Sequence, residues 1–518
     1  MHKKRNNVLL TTLTITILFI FWGITPNDWL GPYSLENVTA FMNTYILQKF
    51  GWFYSLLMTS LVVLAFYLAF SKYGSIRLGK DDDRPEFSYL TWLAMLFGAG
   101  MGIGLIFFGI AEPISHFYNP VQGDPATHES ARLALRYSFF HWGLHPWALY
   151  AMAALVIAYF TFRKNKRGNI SSTITPLFKN PSTSSIVSQT VDILAILAII
   201  FGIVPTIGIG AQQISAGLSY LFPSIENTLT TQLILIAIVT VLYLLSAQTG
   251  LQRGIKHLSN ANITFAGLLL LIVLVTGPTT FIMDYFTTTM GTYIQNLPSM
   301  SLSLSPFNEE SAQWIQNWTI FYWGWWISWT PFVGSFIARI SKGRTIREFI
   351  VGVMLAPTFV CLLWFAAFGG TSIYLELFSN AGIGNEIAAK GNEIGIFAVL
   401  QHLPLSSILI LITLCLITTF FVTSADSATF IVAMQASNGR LSPSNRMKLL
   451  WGIIISVLAA TLLNTGGLAT LQTTAIIAAF PFSFVIILMV VSLFKELKKE
   501  TVVTKSTAKP LPKLNKAK

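Results

Sequence analysis

The sequence predicts an all-α polytopic membrane protein, and three observations carry that expectation. Of 518 residues, 53% are hydrophobic and only 10% charged, far from the averages of soluble domains. Apolar runs of about 20 residues, each long enough at about 1.5 Å per residue to cross roughly 30 Å of hydrocarbon, recur along the whole chain. The formal net charge of +12 has a nucleic-acid reading, but the positive residues sit on alternate loops between the runs, with Arg132 and Arg136, close to the outer end of the fourth, as the exceptions. Arg77, Lys80 and Arg84 follow the second run, and Arg163, Lys164, Lys166 and Arg167 the fourth. Arg253 and Lys256 follow the sixth, Arg339, Lys342, Arg344 and Arg347 the eighth, and Arg440 and Arg446 the tenth. This positive-inside pattern puts both termini in the cytoplasm, makes the number of spans even and leaves no role for nucleic acid.

Apolar length and breakers together place twelve transmembrane helices near 8–24, 52–70, 89–111, 137–161, 189–220, 231–247, 262–284, 314–337, 350–374, 403–436, 447–464 and 468–493. The first follows Lys3, Lys4 and Arg5 and lacks a small-residue cleavage site, so it reads as a retained span rather than a signal peptide. The third (Gly98, Gly100, Gly102, Gly104, Gly109) and fifth (Gly202, Pro205, Gly208, Gly210) read as interrupted. The tenth carries a polar stretch, Thr423 to Ser427. Non-helical backbone at membrane depth survives only where protein buries it or it lines a cavity, so such spans point to a binding site. Met283 to Pro306 is too polar to span and amphipathic in parts, which predicts a helix lying on the outer surface. The tail 494–518 holds eight lysines and two glutamates and reads as a solvated or surface-bound end. Cys361 and Cys415 both fall in apolar spans, where packing explains them better than a disulfide.

The densest unusual segment runs from Asn317 to Pro331, with five tryptophans within twelve residues. An interfacial belt accounts for Trp314 and Trp318 at the outer edge of the span, but not for Trp325, Trp326 and Trp329 near mid-membrane. Trp326 and Trp329 share a helix face, and indole is the best side chain for holding a cation over its ring. A quaternary ammonium has no N–H to donate, so an aromatic cage is its natural receptor, with ordinary core packing as the alternative. Trp142, Trp147 and Tyr150 in the fourth span offer a second aromatic face. His141 and His145 beside them fit hydrogen-bonded helix packing better than a proton relay.

The run Gly98 to Gly104 fails the G-x-G-x-x-G spacing and lies inside a span, which excludes a nucleotide loop. Close helix packing explains it, as does an unwound helix whose carbonyls bind a cation while its amides face a carboxylate. Thr423 and Ser424 offer hard oxygens to the same ion, which suits Na⁺. Asp426 is an intramembrane acid with both a structural and a functional reading. H-E-x-x-H, G-x-S-x-G and Walker signatures are absent, so an enzyme is not expected.

These residues resemble the betaine/choline/carnitine transporters. Trp318 to Trp326 matches the family's W-T-x-x-[FY]-W-x-W-W signature, and the likeness extends over Gly98 to Pro113, His141 to Tyr150, Ala338 to Glu348 and Phe420 to Ser427. The resemblance implies a LeuT-like core of two inverted five-helix repeats, 89–284 and 314–493. Around it would lie a short N-terminus 1–7, two peripheral helices with a loop in 8–88, a surface segment 285–313 and the tail 494–518. It further implies a homotrimer in the inner (plasma) membrane. The cationic head would meet Trp142, Trp147, Tyr150 and Trp326, with Trp325 and Trp329 along the inward path and Gly100, Met101, Gly102 and Gly104 beside the substrate. The coupling Na⁺ would be held around Gly98, Met101, Phe420, Thr423 and Ser424, with no other cofactor.

Departures within the family narrow the expectation. Ile263 stands where sodium-independent carnitine exchangers carry an arginine, which implies sodium coupling. Gly104 stands where choline carriers often have an aspartate, which implies a zwitterion such as glycine betaine. Ile199 and Ile203 replace the threonines of a second sodium site. A choline or carnitine carrier is the rival within the family, and a ligand-binding membrane sensor the rival outside it.

Overall fold

The structure, a computed structural model, describes residues 2–100, 102–248, 252–440 and 442–500. Its main helices are α1 (His2–Ile24), α2 (Leu35–Phe70), α3 (Tyr89–Gly100), α4 (Ile103–Tyr118), α5 (His128–Trp142), α6 (Leu144–Ala158) and α7 (Pro181–Leu221). They continue with α8 (Leu229–Gln248), α9 (Gln252–Thr276), α10 (Thr279–Leu302), α11 (Glu309–Ile315), α12 (Phe321–Arg339), α13 (Ile346–Ser379), α14 (Ser406–Ala436) and α15 (Asn445–Leu497). Among the described residues the sole β pairing is an isolated bridge between Arg77 and Thr345. Polar residues in the loops start the helices. Thr127 and Ser130 close a reciprocal capping box at α5, and the Thr345 hydroxyl accepts the Glu348 amide at α13, 3.2 Å away.

Among the described residues, eight helices are long and apolar enough to cross a membrane, or nine if the bent α9–α10 pair counts as one span. The remaining expected segments miss that standard for visible reasons. The third is split between α3 and α4, the eighth starts in α11 and a π-turn rich in polar residues, and the last two are joined in α15. Within α15 the pair Gly466 and Gly467 leaves helical geometry, Gly467 at φ +61°, so two helices meet there. The seventh span ends at Thr276, not near 284, because Gly277 and Pro278 stop it; α10 then turns away by 109°. On α10, Phe286, Tyr293 and Met300 are buried while Met283 and Ile294 stay exposed, so the helix has one covered and one open side.

Two interruptions expected from sequence do not occur. Helix α7 runs unbroken through Gly202, Pro205, Gly208 and Gly210, and α14 through Thr423 to Ser427. Close packing is what the α7 glycines provide: a Cβ on Gly202 would stand 2.9 Å from the Ser328 carbonyl oxygen of α12. No disulfide joins Cys361 and Cys415.

Burial separates centre from rim. In the most apolar stretch of His128–Arg163, 94% of the residues are buried, against 22% for α1 and for Leu229–Ala247. Helix α12 packs on α6, α7 and α15, so the tryptophan segment lies at the centre. Three of the basic loops meet: the Gly343 N–H donates to the Leu78 carbonyl and the Leu78 N–H to that of Arg344, across the loops after α2 and α12, and Arg163 binds both Asp81 and Glu500. The tail beyond Glu500 lies outside the described residues.

Candidate functional site

Two chain breaks organise the centre. Gly102 is extended (φ −148°, ψ −151°) between α3 and α4, and Gly143 separates α5 from α6. A Cβ on Gly143 would lie 2.4 Å from the Phe139 carbonyl oxygen and 2.6 Å from the Tyr293 hydroxyl, so only glycine fits. The break leaves the last carbonyls of α5 without helical partners, and Trp326 Nε1 donates to that of His141 at 3.0 Å. In this way a glycine in the fourth span fixes an indole in the eighth.

Around that bond four rings follow one another as perpendicular walls. Trp142 and Trp326 have centroids 4.8 Å apart and planes 80° apart; Trp326 and Tyr150 are 6.3 Å and 80°, Tyr150 and Trp147 5.7 Å and 77°. All four are buried. Trp325 stacks on Trp326 at 5.0 Å and 15°, while Trp329 stands edge-on to Trp325 and donates to the Gly202 carbonyl at 2.7 Å. Among the described residues the Tyr150 hydroxyl and the Trp325 N–H are buried without a hydrogen-bond partner. Such groups are rare in a folded interior, and both border the rings. Not all the tryptophans share this setting. Trp314, expected at the interface, is buried against His116 and Tyr137 and donates to the Asn119 carbonyl, because α4 and α5 cover it. Trp323 packs on His145 and Phe140.

The start of α4 touches both expected subsites. A Cβ on Gly104 would lie 3.2 Å from Trp325 and 3.4 Å from Trp142, and one on Gly102 would lie 3.6 Å from the Ser424 hydroxyl. Gly98 and Gly100 lie in α3, and Met101 falls outside the described residues. The Thr423 hydroxyl donates to the Thr419 carbonyl at 2.9 Å, with the Phe420 carbonyl 3.2 Å away, and accepts from Asn262 Nδ2 at 3.0 Å. Asn262 Oδ1 is buried with no partner among the described residues.

Sequence reasoning missed Asn262 and, more consequentially, Glu112. The Glu112 carboxylate is fully buried and accepts four hydrogen bonds. His116 Nε2 (3.2 Å) and His141 Nδ1 (2.7 Å) bond to Oε1; Trp142 Nε1 (2.8 Å) and the Tyr322 hydroxyl (2.5 Å) bond to Oε2. His141 Nε2 in turn meets the Thr319 hydroxyl at 2.9 Å. The two imidazoles and the carboxylate lie close enough to suggest a metal trio, their ligand atoms all within 4.8 Å. Trp142 and Tyr322 already occupy the second carboxylate oxygen with their own N–H and O–H, so the group reads as a hydrogen-bond network. Removing one partner from such a buried charge costs about 3–5 kcal/mol. Its signal in the sequence was an acid inside an apolar span, the same rule that drew attention to Asp426.

With this geometry in hand, comparison with known proteins is informative. The family model described as BCCT, betaine/carnitine/choline family transporter, matches residues 7–502. The chain belongs to this family. It is a multi-pass membrane transporter and not an enzyme. It is 50% identical over 501 residues to the glycine betaine transporter OpuD of Bacillus subtilis, covering 96% of both chains. A probable glycine betaine transporter of Desulfitobacterium hafniense is 40% identical over 96% of this chain and 98% of its own length. The ectoine/hydroxyectoine transporter of Virgibacillus pantothenticus is 39% identical over 95% of this chain and 97% of its own.

Proposed function

We propose that this transporter carries glycine betaine, or a similar zwitterionic quaternary-ammonium solute, by symport with Na⁺. The observation that carries the reading is the run of four buried rings, each turned 77–80° from the next. Perpendicular aromatic walls present their negative faces inward, and a trimethylammonium head with no N–H to satisfy fits between them. The head meets Trp142, Trp147, Tyr150 and Trp326. The substrate carboxylate meets the backbone of Gly100 to Gly104. The relatives named as glycine betaine transporters support the substrate class. Gly104 supports a zwitterion over choline, since no larger side chain fits against Trp325 and Trp142 without displacing them.

Na⁺ travels as the co-substrate, held by backbone oxygens near Gly98 and Met101 with Phe420, Thr423 and Ser424. Its arrival straightens the chain at Gly102, and alternating access follows by rocking one five-helix repeat, 89–284, against the other, 314–493. The protein works as a twelve-helix homotrimer in the plasma membrane with both termini in the cytoplasm, and uptake serves osmoprotection. An uptake panel in proteoliposomes tests the substrate: labelled glycine betaine competed with choline, carnitine and ectoine. Strongest competition by unlabelled betaine is expected; choline or carnitine outcompeting it overturns the substrate, and ligand binding without flux favours a sensor.

A further inference from the structure

The ring cluster is uncharged, and Gly104 leaves no place in it for an acidic side chain. Yet one carboxylate touches it from behind. Among the described residues Glu112 is the sole acid that hydrogen-bonds to any of Trp142, Trp147, Tyr150 and Trp326, through Trp142 Nε1 at 2.8 Å. Trp142 and Tyr322 donate to Oε2, and His116 as its Nε2–H tautomer and His141 as its Nδ1–H tautomer donate to Oε1, which fills the lone-pair sites of an ionised carboxylate. His116 Nδ1 has no partner, so a second proton there would be a buried, unpaired donor, whereas His141 has the Thr319 hydroxyl on its other nitrogen and is the ring that a proton would suit. The carboxylate therefore sits at the edge of Trp142, one hydrogen bond from its indole N–H.

We infer that Glu112, acting through Trp142, gives the aromatic site its preference for a positively charged head over an uncharged one of the same shape. An N–H bonded to an anion pushes electron density into its indole, which deepens the negative potential of the ring face. The carboxylate also attracts the cation directly across a low-dielectric interior. Glu112 touches no substrate and is a positioning and charge-setting residue. This rests on the proposed reading of the rings as the cation site.

The test compares glycine betaine with 3,3-dimethylbutanoate, in which carbon replaces the charged nitrogen and the carboxylate is unchanged. Glu112→Gln removes the charge and keeps the shape: its amide oxygen accepts from Trp142 and Tyr322, and its amide N–H groups donate to His141 and His116 once both rings exchange tautomers, which leaves the His116 Nδ1–H buried and unpaired and is read out as a lower melting temperature. Binding of both ligands to the purified full-length protein is measured by competition, alongside melting temperature. Glu112→Gln is expected to lower the preference for betaine over its carbon isostere by about tenfold, the scale of one charge acting over roughly an indole's length. Glu112→Asp, which keeps the charge, and Tyr322→Phe, which removes one donor and keeps the anion, are expected to hold the wild-type preference. Equal loss of both ligands in Glu112→Gln, an unchanged preference, or an equal drop in Tyr322→Phe overturns the inference. If the single variant does not fold, Glu112→Gln with Tyr322→Phe carries the same test, with one donor fewer to satisfy. Wild-type protein that fails to bind betaine overturns the proposed function instead.

Discussion

The first turn of α4 touches two differently built regions, the rings at Gly104 and the oxygens at Gly102. On the ring side the indole N–H groups of Trp142, Trp326 and Trp329 are tied to a carboxylate or a backbone carbonyl, and each ring is held in one orientation. On the oxygen side Thr423 is shared among Thr419, Phe420 and Asn262, and Asn262 keeps a buried oxygen with no partner among the described residues. The contrast is one of preorganisation. A cage for a bulky, weakly hydrated cation works when rigid, whereas a small hydrated ion must be met by oxygens free to replace its water.

Substitutions that act on one side and spare the other would sharpen that contrast. Trp326→Leu removes a wall and the bond to His141, so the betaine half-saturation concentration should rise roughly thirtyfold while that for Na⁺ holds, cation–π attraction being worth about 2 kcal/mol when desolvated. Comparable shifts for both solutes in an uptake assay would break the division. Thr423→Ala should do the converse, raising the Na⁺ requirement about tenfold, the scale of one hydrogen-bonding group facing a charge. Betaine affinity at saturating Na⁺ should stay as in wild type. Trp329→Phe keeps a ring and loses only the bond to Gly202, so a smaller change of about fivefold in betaine half-saturation is expected.

Far from both regions, Glu500 should matter least. Burial would raise its carboxyl, but Arg163, Lys164 and Tyr159 hold it down, from 4.5 to about 2. A depressed carboxylate stabilises the fold above its unfolded value and loses that contribution as pH falls toward its folded one. Glu500→Gln should therefore lower the melting temperature by the same small amount at pH 8 and pH 6, with the difference shrinking below about pH 4.5. Transport at neutral pH should be unaffected.

Much of this was legible in the sequence because membrane helices announce themselves by length and because Trp326 with Trp329, and Trp147 with Tyr150, stand three residues apart on helices. What stayed hidden depends on contacts between distant segments. Gly202, Pro205, Gly208 and Gly210 look like a broken span, yet α7 is continuous, since glycines that admit Ser328 read the same as glycines that bend a chain. Trp314 looked interfacial until α4 and α5 were seen to cover it. Glu112 gave no sign of its four donors, which come from α4, α5 and α12.

The central claim, that the rings and the oxygens act together in coupled uptake, is tested most directly by flux. Purified protein in proteoliposomes should accumulate radiolabelled glycine betaine above its external concentration when an inward Na⁺ gradient is imposed. Equal accumulation with K⁺ in place of Na⁺, or none under either gradient, would contradict the account.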